Sequence, residues 1–146
     1  MSTTLATYIS LPGNADEAFA HWQEVFGGQL ELMKYGDADL EGMPFEPDPD
    51  LVAHAVLHTP GGDIAGGDGM PGEGGLPLRG TAYSLLYSVD DPAEARTLIQ
   101  LLLDGGGSVN MPFEVAPWGD WYGQVFDRFD VMWAFVAPDS EAYGHA

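Results

Sequence analysis

The chain has 146 residues, no cysteine, and 23 acidic against four basic residues, which gives a formal net charge of −19. The lack of cysteine excludes disulfides, thiolate nucleophiles and cysteine-bound zinc, and the lack of basic patches excludes nucleic-acid binding. The length is typical of one domain. The sequence has neither an apolar run of about 20 residues nor a signal-peptide pattern, so we expect a cytoplasmic protein without a membrane partner.

The first predicted elements are a strand at Thr7–Leu11 and an amphipathic helix. Asn14 is a preferred N-cap residue, and Glu17 follows three residues later in capping-box spacing. Apolar residues then recur with the helical period, and Gly27 with Gly28 predicts the end of the helix.

Three strands and two loops complete the first half. Strands are predicted at 29–35, 51–59 and 63–65. The loop at 36–50 is acidic and broken by prolines, and the loop at 66–80 is rich in glycine. The second loop lacks the Gly-Lys-Ser/Thr ending and the following helix that a phosphate-binding loop requires.

The second half repeats this order. A strand at 81–89 precedes a helix that Asp91 caps, with Pro92 at the first helical position and Glu94 in capping-box spacing. Glycines at 105–107 end this helix. Strands follow at 108–113, 124–126 and 131–136, and the last two form a hairpin around a turn at 127–130.

Both halves therefore run strand, capped helix, glycine stop and three strands. This predicts an α+β fold of two βαβββ modules, at about 1–78 and 79–146, within a single domain of residues 1–146. Each mixed sheet is expected to curl.

Several motifs resemble the PhnB-like branch of the vicinal-oxygen-chelate superfamily, which includes glyoxalase I, bleomycin- and fosfomycin-resistance proteins and extradiol dioxygenases. They are Gly-Asn-Ala-Asp-Glu-Ala-Phe at 13–19, Val-Phe-Gly-Gly at 25–28, His54-Ala55, Met111-Pro112, Trp118-Gly119, Tyr122-Gly123, and Phe126-Asp127 with Trp133. The resemblance covers nearly the whole chain and implies the fold above and a homodimer. It departs at Asp130, where the branch usually has glycine; aspartate tolerates left-handed geometry, so we expect the hairpin to form.

The resemblance also implies where a divalent ion would bind, because enzymes of the superfamily hold it with side chains from the first and last strands of each module. Those strands here offer Tyr8, Ser10, Asp63, Ser84 and Phe135. They provide one carboxylate, and a phenyl ring stands at the usual terminal glutamate position. We therefore predict no metal and no other cofactor.

Histidines do not supply an alternative metal site. His54 and His58 share a strand face but lie about 13 Å apart at the rise of an extended chain, too far to bind one ion. His58 is expected to be solvated at its strand end, and His21 to be exposed or on the flank of its helix.

Five residues are predicted to contact a ligand: His54, Glu114, Trp118, Tyr122 and Trp133. Trp and Tyr combine large apolar surfaces with a polar group, so they can line a pocket, but plain core packing is the alternative. His54 could equally be a core histidine, and Glu114 an exposed strand-end glutamate. No residue is assigned a catalytic role.

The favoured function is metal-free binding of a small hydrophobic or cationic molecule in an aromatic-lined cleft. A divalent-metal lyase or isomerase of the glyoxalase type is the first alternative, and a protein-interaction module without a small ligand is the second. The acidity could attract cations, keep the protein soluble or reflect adaptation to salt.

Overall fold

The computed structural model describes residue 3 and residues 5–37, 48–69 and 77–139, so the middle of both predicted loops and the last residues lie outside it. The chain divides into two compact units, Met1–Leu76 and Pro77–Ala146. Each unit contains one long helix and a four-stranded mixed sheet with the same strand order, which confirms the α+β fold of two βαβββ modules. None of the described helices is both long enough and apolar enough to span a bilayer.

The first unit contains a sheet with strand order β1-β4-β3-β2, in which β1 is parallel to β4 and the other pairs are antiparallel. Its elements are β1 (Thr7–Leu11), α1 (Ala15–Phe26), β2 (Gln29–Lys34), β3 (Val52–Thr59) and β4 (Gly62–Asp68).

Helix α1 begins and ends where the sequence predicts, but a distant residue caps it. Asn14 occupies the N-cap position without a capping side-chain hydrogen bond. Instead the buried Asp68, at the end of β4, accepts hydrogen bonds from the backbone N–H of Ala15 (2.9 Å) and of Val52 (2.8 Å). One carboxylate thus joins the starts of α1 and β3 to the end of β4.

His21 is buried, with 7% of its surface exposed, which corrects the prediction of an exposed or flanking histidine. It lies three residues after Ala18 and four before Val25, both buried, so it belongs to the face of α1 that packs on the sheet.

Strand β4 is longer than predicted, because two glycines read as loop continue the strand. A Cβ atom at Gly66 would clash with the backbone carbonyl oxygen of Ile9, and one at Gly67 would lie 3.0 Å from the carbonyl oxygen of Ala53. Only glycine fits at position 66, and at position 67 an added Cβ atom would make a tight contact with the neighbouring backbone.

The second unit repeats the topology as β5-β8-β7-β6, with β5 parallel to β8. Its elements are β5 (Leu85–Ser88), α2 (Pro92–Asp104), β6 (Ser108–Val115), β7 (Trp121–Phe126) and β8 (Met132–Ala137). The predicted cap of α2 is confirmed, since the Asp91 side chain accepts a hydrogen bond from the Ala93 N–H at 2.9 Å.

Three strands of this unit differ in length from the prediction. β5 starts at Leu85, which pairs with Trp133 near the start of β8, and in this register residues 81–83 would lie beyond the first residue of β8. β6 and β7 are longer, since Glu114 pairs with Tyr122 and Val115 with Trp121. Trp121 and Tyr122 therefore belong to a strand, not to a loop.

The β7–β8 hairpin is held from inside by Asp127, which is 1% exposed. Its Oδ1 accepts hydrogen bonds from the N–H groups of Phe129 (2.9 Å) and Val131 (3.0 Å). Its Oδ2 accepts one from the indole N–H of Trp133 at 2.9 Å. Asp130 has φ 70°, the left-handed conformation that the sequence predicts for this turn.

Candidate functional site

The second sheet has one face on α2 and one face away from it, which we call the open face. Arg96 of α2 lies 4.5 Å from the ring centre of Trp121, and Val125 is buried, so these alternate residues of β7 face the helix. Tyr122, Gln124 and Phe126 consequently lie on the open face, because side chains alternate along a strand.

Three predicted ligand residues meet on the open face. Glu114 lies directly opposite Tyr122 in the β6–β7 pair, a position in which Cβ atoms are about 4.5–5.5 Å apart. The ring of Trp118 meets that of Tyr122 edge-on, with 5.8 Å between centres. Trp118 is 63% exposed. We call Glu114, Trp118 and Tyr122 the Trp118 patch.

Two residues that the sequence interpretation missed orient Tyr122. Gln124 donates from Nε2 to the Tyr122 hydroxyl oxygen at 2.9 Å, and Asn110 donates from Nδ2 to Gln124 Oε1 at 2.7 Å. Because Gln124 follows Tyr122 by two residues, strand alternation alone would have placed both on one face. Asn110 lies on another strand, and no local pattern indicates its role.

Trp133 does not join the patch. It pairs with Val125 in the β7–β8 ladder, on the helix-facing side, and only 2% of its surface is exposed. Its position favours core packing, the alternative that the sequence left open. The Trp133 ring is therefore almost inaccessible to a ligand.

His54 lies in the first unit, on the sheet face opposite α1. It is exposed, and its ring stacks on that of Tyr8 with 5.9 Å between centres and 25° between planes. Met33, its partner on β2, is also exposed. His54 is therefore accessible to a ligand, as part of an aromatic pair that belongs to this unit alone.

His58 joins three strands of the first sheet. Its Nε2 lies 2.9 Å from Glu31 Oε2 on β2, and its Nδ1 lies 2.9 Å from Asp63 Oδ1 on β4. The hydrogen bonds to Glu31 and then to Asp63 hold the pKa of His58 above its ordinary value, and they outweigh partial desolvation. His58 is solvent-exposed, as predicted, and its protonated ring forms ion pairs with both carboxylates.

Two of the residues that the resemblance places at ion-binding positions are already packed or paired. Phe135 is fully buried and has no ligand atom, and Asp63 is paired with His58. The two carboxylates at His58 contact opposite nitrogens of the ring, so these groups do not converge on one point. Within residues 5–37, 48–69 and 77–139, no group of three His, Asp or Glu side chains is placed to hold an ion.

Comparison with known proteins agrees with this architecture. Residues 5–135 match the sequence model of the Glyoxalase/Bleomycin resistance protein/Dioxygenase superfamily. Protein YjdN of Escherichia coli K12 is 29% identical in an alignment of length 140 that covers 88% of this chain and 91% of that protein.

Solved structures show the same fold. Protein PA1353 of Pseudomonas aeruginosa is 32% identical, with a TM-score of 0.78 over 94% of this chain and 98% of that one. A Bacillus cereus protein described as a putative 3-demethylubiquinone-9 3-methyltransferase, PhnB protein, is 19% identical, with a TM-score of 0.70 over 92% and 99% of the two chains. The chain belongs to the glyoxalase/bleomycin resistance protein/dioxygenase superfamily.

Proposed function

We propose that the chain binds a small hydrophobic or cationic molecule at the Trp118 patch, without a divalent metal. The observation that carries the proposal is the convergence of Glu114 and Tyr122 in register, with the exposed Trp118 ring set edge-on against Tyr122. The superfamily includes both enzymes and resistance proteins, so membership is compatible with either catalysis or binding.

The chemistry of the patch suits a flat or apolar group. Covering an exposed indole with another ring removes apolar surface from water, and aromatic pairs gain about 0.5–1.5 kcal/mol beyond that burial. Tyr122 is already oriented by Gln124, so a ligand need not immobilise this ring itself.

Titration calorimetry with soluble aromatic probes, quinoline and N-methylquinolinium among them, tests the proposal. We expect Trp118→Ala to weaken binding of the better probe by about tenfold, the equivalent of about 1.4 kcal/mol. Tyr83→Ala is the matched control, because Tyr83 is 86% exposed in the same unit and precedes β5, which lies at the opposite edge of the sheet from β6. Wild-type protein that binds none of the probes, or equal binding by Trp118→Ala, would refute the proposal.

Metal independence is tested separately by elemental analysis of protein purified without chelator. We expect less than a stoichiometric amount of any divalent ion and unchanged probe binding after chelation. A near-stoichiometric ion that is lost in Asp63→Asn or His54→Ala would instead support the glyoxalase-type alternative.

We also propose that the protein is a homodimer in the cytoplasm. Each four-stranded sheet ends in two edge strands, β1 and β2 in one unit and β5 and β6 in the other. Unpaired edges are commonly covered in an assembly. Light scattering after size-exclusion chromatography should give twice the chain mass, and a monomer at every concentration would contradict this.

A further inference from the structure

All three arginines of the second unit lie against aromatic rings. Arg79 is 3.9 Å from the ring centre of Phe126, Arg96 is 4.5 Å from that of Trp121, and Arg128 is 4.4 Å from that of Phe129. The chain's other basic residue, Lys34, belongs to the first unit. This unit therefore uses its own cations to cover the negative faces of its rings.

Arg79 contacts both an aromatic ring and a carboxylate. Its guanidinium lies over Phe126, while its Nε donates to Asp130 Oδ1 at 3.0 Å. The ring supplies an electrostatic surface and the carboxylate supplies the opposite charge. Phe126 is buried beneath this arginine, so the cation also shields the ring from water.

The Trp118 patch also combines aromatic rings with a carboxylate, and like Phe126 it lies on the open face. Tyr122 precedes Phe126 by four residues of β7, and Glu114 lies across from it. Among the basic side chains that the structure describes, none lies over Trp118 or Tyr122 and none pairs with Glu114. The rings and the carboxylate are thus accessible to a cation from outside the chain.

We propose that the ligand of the Trp118 patch is an organic cation, an ammonium or guanidinium group on a small apolar body, and that Glu114 selects it. This inference rests on the proposed function and adds the ligand class and the residue that determines specificity. The cation lies over the Trp118 and Tyr122 rings with its charge toward Glu114. The net charge of −19 raises the local concentration of such ligands and speeds their arrival.

The test compares two probes that share a ring system and differ in charge. Quinoline is neutral at mildly alkaline pH, and N-methylquinolinium carries a permanent positive charge. Calorimetry on the full chain at low ionic strength should show wild-type protein binding the cation at least about tenfold more tightly. In Glu114→Gln we expect the ratio of the two affinities to fall by at least about threefold with quinoline binding unchanged, because only the contribution of this carboxylate is lost while the rings and the remaining net charge still favour the cation.

Glu94→Gln is the control variant. Glu94 is exposed on α2 of the same unit, so its substitution removes an equal charge away from the open face. We expect this variant to keep the wild-type preference for the cation. An equal loss in both variants would show that net charge, not Glu114, sets the preference, and would overturn the inference.

The outcomes separate this inference from the proposed function. If wild-type protein binds quinoline and N-methylquinolinium equally, and Trp118→Ala abolishes both, the patch is an aromatic site without charge selection. The cation proposal then fails while the proposed function stands. If neither probe binds, both fail.

Discussion

Asp127 organises the last hairpin as a single buried acceptor for three donors, two from the turn backbone and one from Trp133. We predict that Asp127→Ala lowers the free energy of unfolding by about 3 kcal/mol or more, because each buried donor left without an acceptor costs about 1–3 kcal/mol. Urea unfolding followed by circular dichroism measures this change.

Asp130→Asn, in the same turn, is the control for this prediction. Asparagine tolerates the left-handed conformation at φ 70°, and the exposed ion pair with Arg79 contributes at most about 1 kcal/mol. An Asp127→Ala protein as stable as Asp130→Asn would contradict the role of Asp127.

His58 makes the stability of the first unit depend on pH. A neutral imidazole has one N–H, so both nitrogens can donate, to Glu31 and to Asp63, only when the ring is protonated. The pKa of His58 is raised in the folded protein. Its contribution to stability is therefore complete below the unfolded pKa of about 6.5 and is lost as pH rises through the folded pKa.

We predict that His58→Gln flattens the fall in stability with rising pH over this window, relative to wild type. NMR titration of the His58 ring should give a pKa above that of an unfolded histidine, and both Glu31→Gln and Asp63→Asn should lower it. His54→Gln is the control, since His54 has no carboxylate partner among the contacts of the described chain. A His58 pKa that neither carboxylate variant changes would contradict the assignment.

Strand β4 depends on glycine where β1 lies alongside it. We predict that Gly66→Ala lowers the free energy of unfolding by more than about 2 kcal/mol, because the new methyl group would collide with the Ile9 carbonyl and separate β1 from β4. Gly69→Ala is the matched control, since its Cβ would lie an ordinary 3.6 Å from the Leu11 carbonyl oxygen. Equal stability of the two variants, measured by urea unfolding, would refute this argument.

The helices were predictable from the sequence because their signals are local. The cap-type residues, glycine stops and apolar period locate the ends of α1 and α2 to within one residue, although Asp68, not Asn14, accepts the side-chain hydrogen bond at the start of α1. The predicted ends of β4 and β7 were wrong because the true ends depend on pairing with strands elsewhere in the chain. Gly66 is a loop residue by composition, and only the approach of β1 makes it a strand residue.

The sequence indicated which residues could form the candidate site, but not which of them lie together in the structure. Trp118 and Trp133 are equally good pocket residues by sequence, yet one is exposed and the other is buried. Trp133 lies on the helix-facing side of β8, whereas Trp118 lies in the turn before β7 and its ring meets Tyr122 on the open face. Asp68 was missed as a helix cap because it acts across 53 positions of sequence.

The charge of the whole molecule opposes its folding. With 23 acidic and four basic residues, the folded state holds repelling carboxylates close together. We predict that sodium chloride raises the melting temperature as the screening length falls from about 30 Å at 0.01 M to about 8 Å at 0.15 M. Sucrose at equal osmolarity is the control for effects other than screening. A melting temperature that falls or stays constant with salt would show that self-repulsion is not significant.

One buried tryptophan in each unit gives the repeated architecture a practical consequence. Trp22 lies in the core of the first unit and Trp133 in that of the second. Chains that retain a single indole, Trp22 or Trp133, would therefore report by emission wavelength on one repeat at a time. Coincident transitions would mean that the two repeats unfold as one cooperative body, and separate transitions would mean that each repeat unfolds independently.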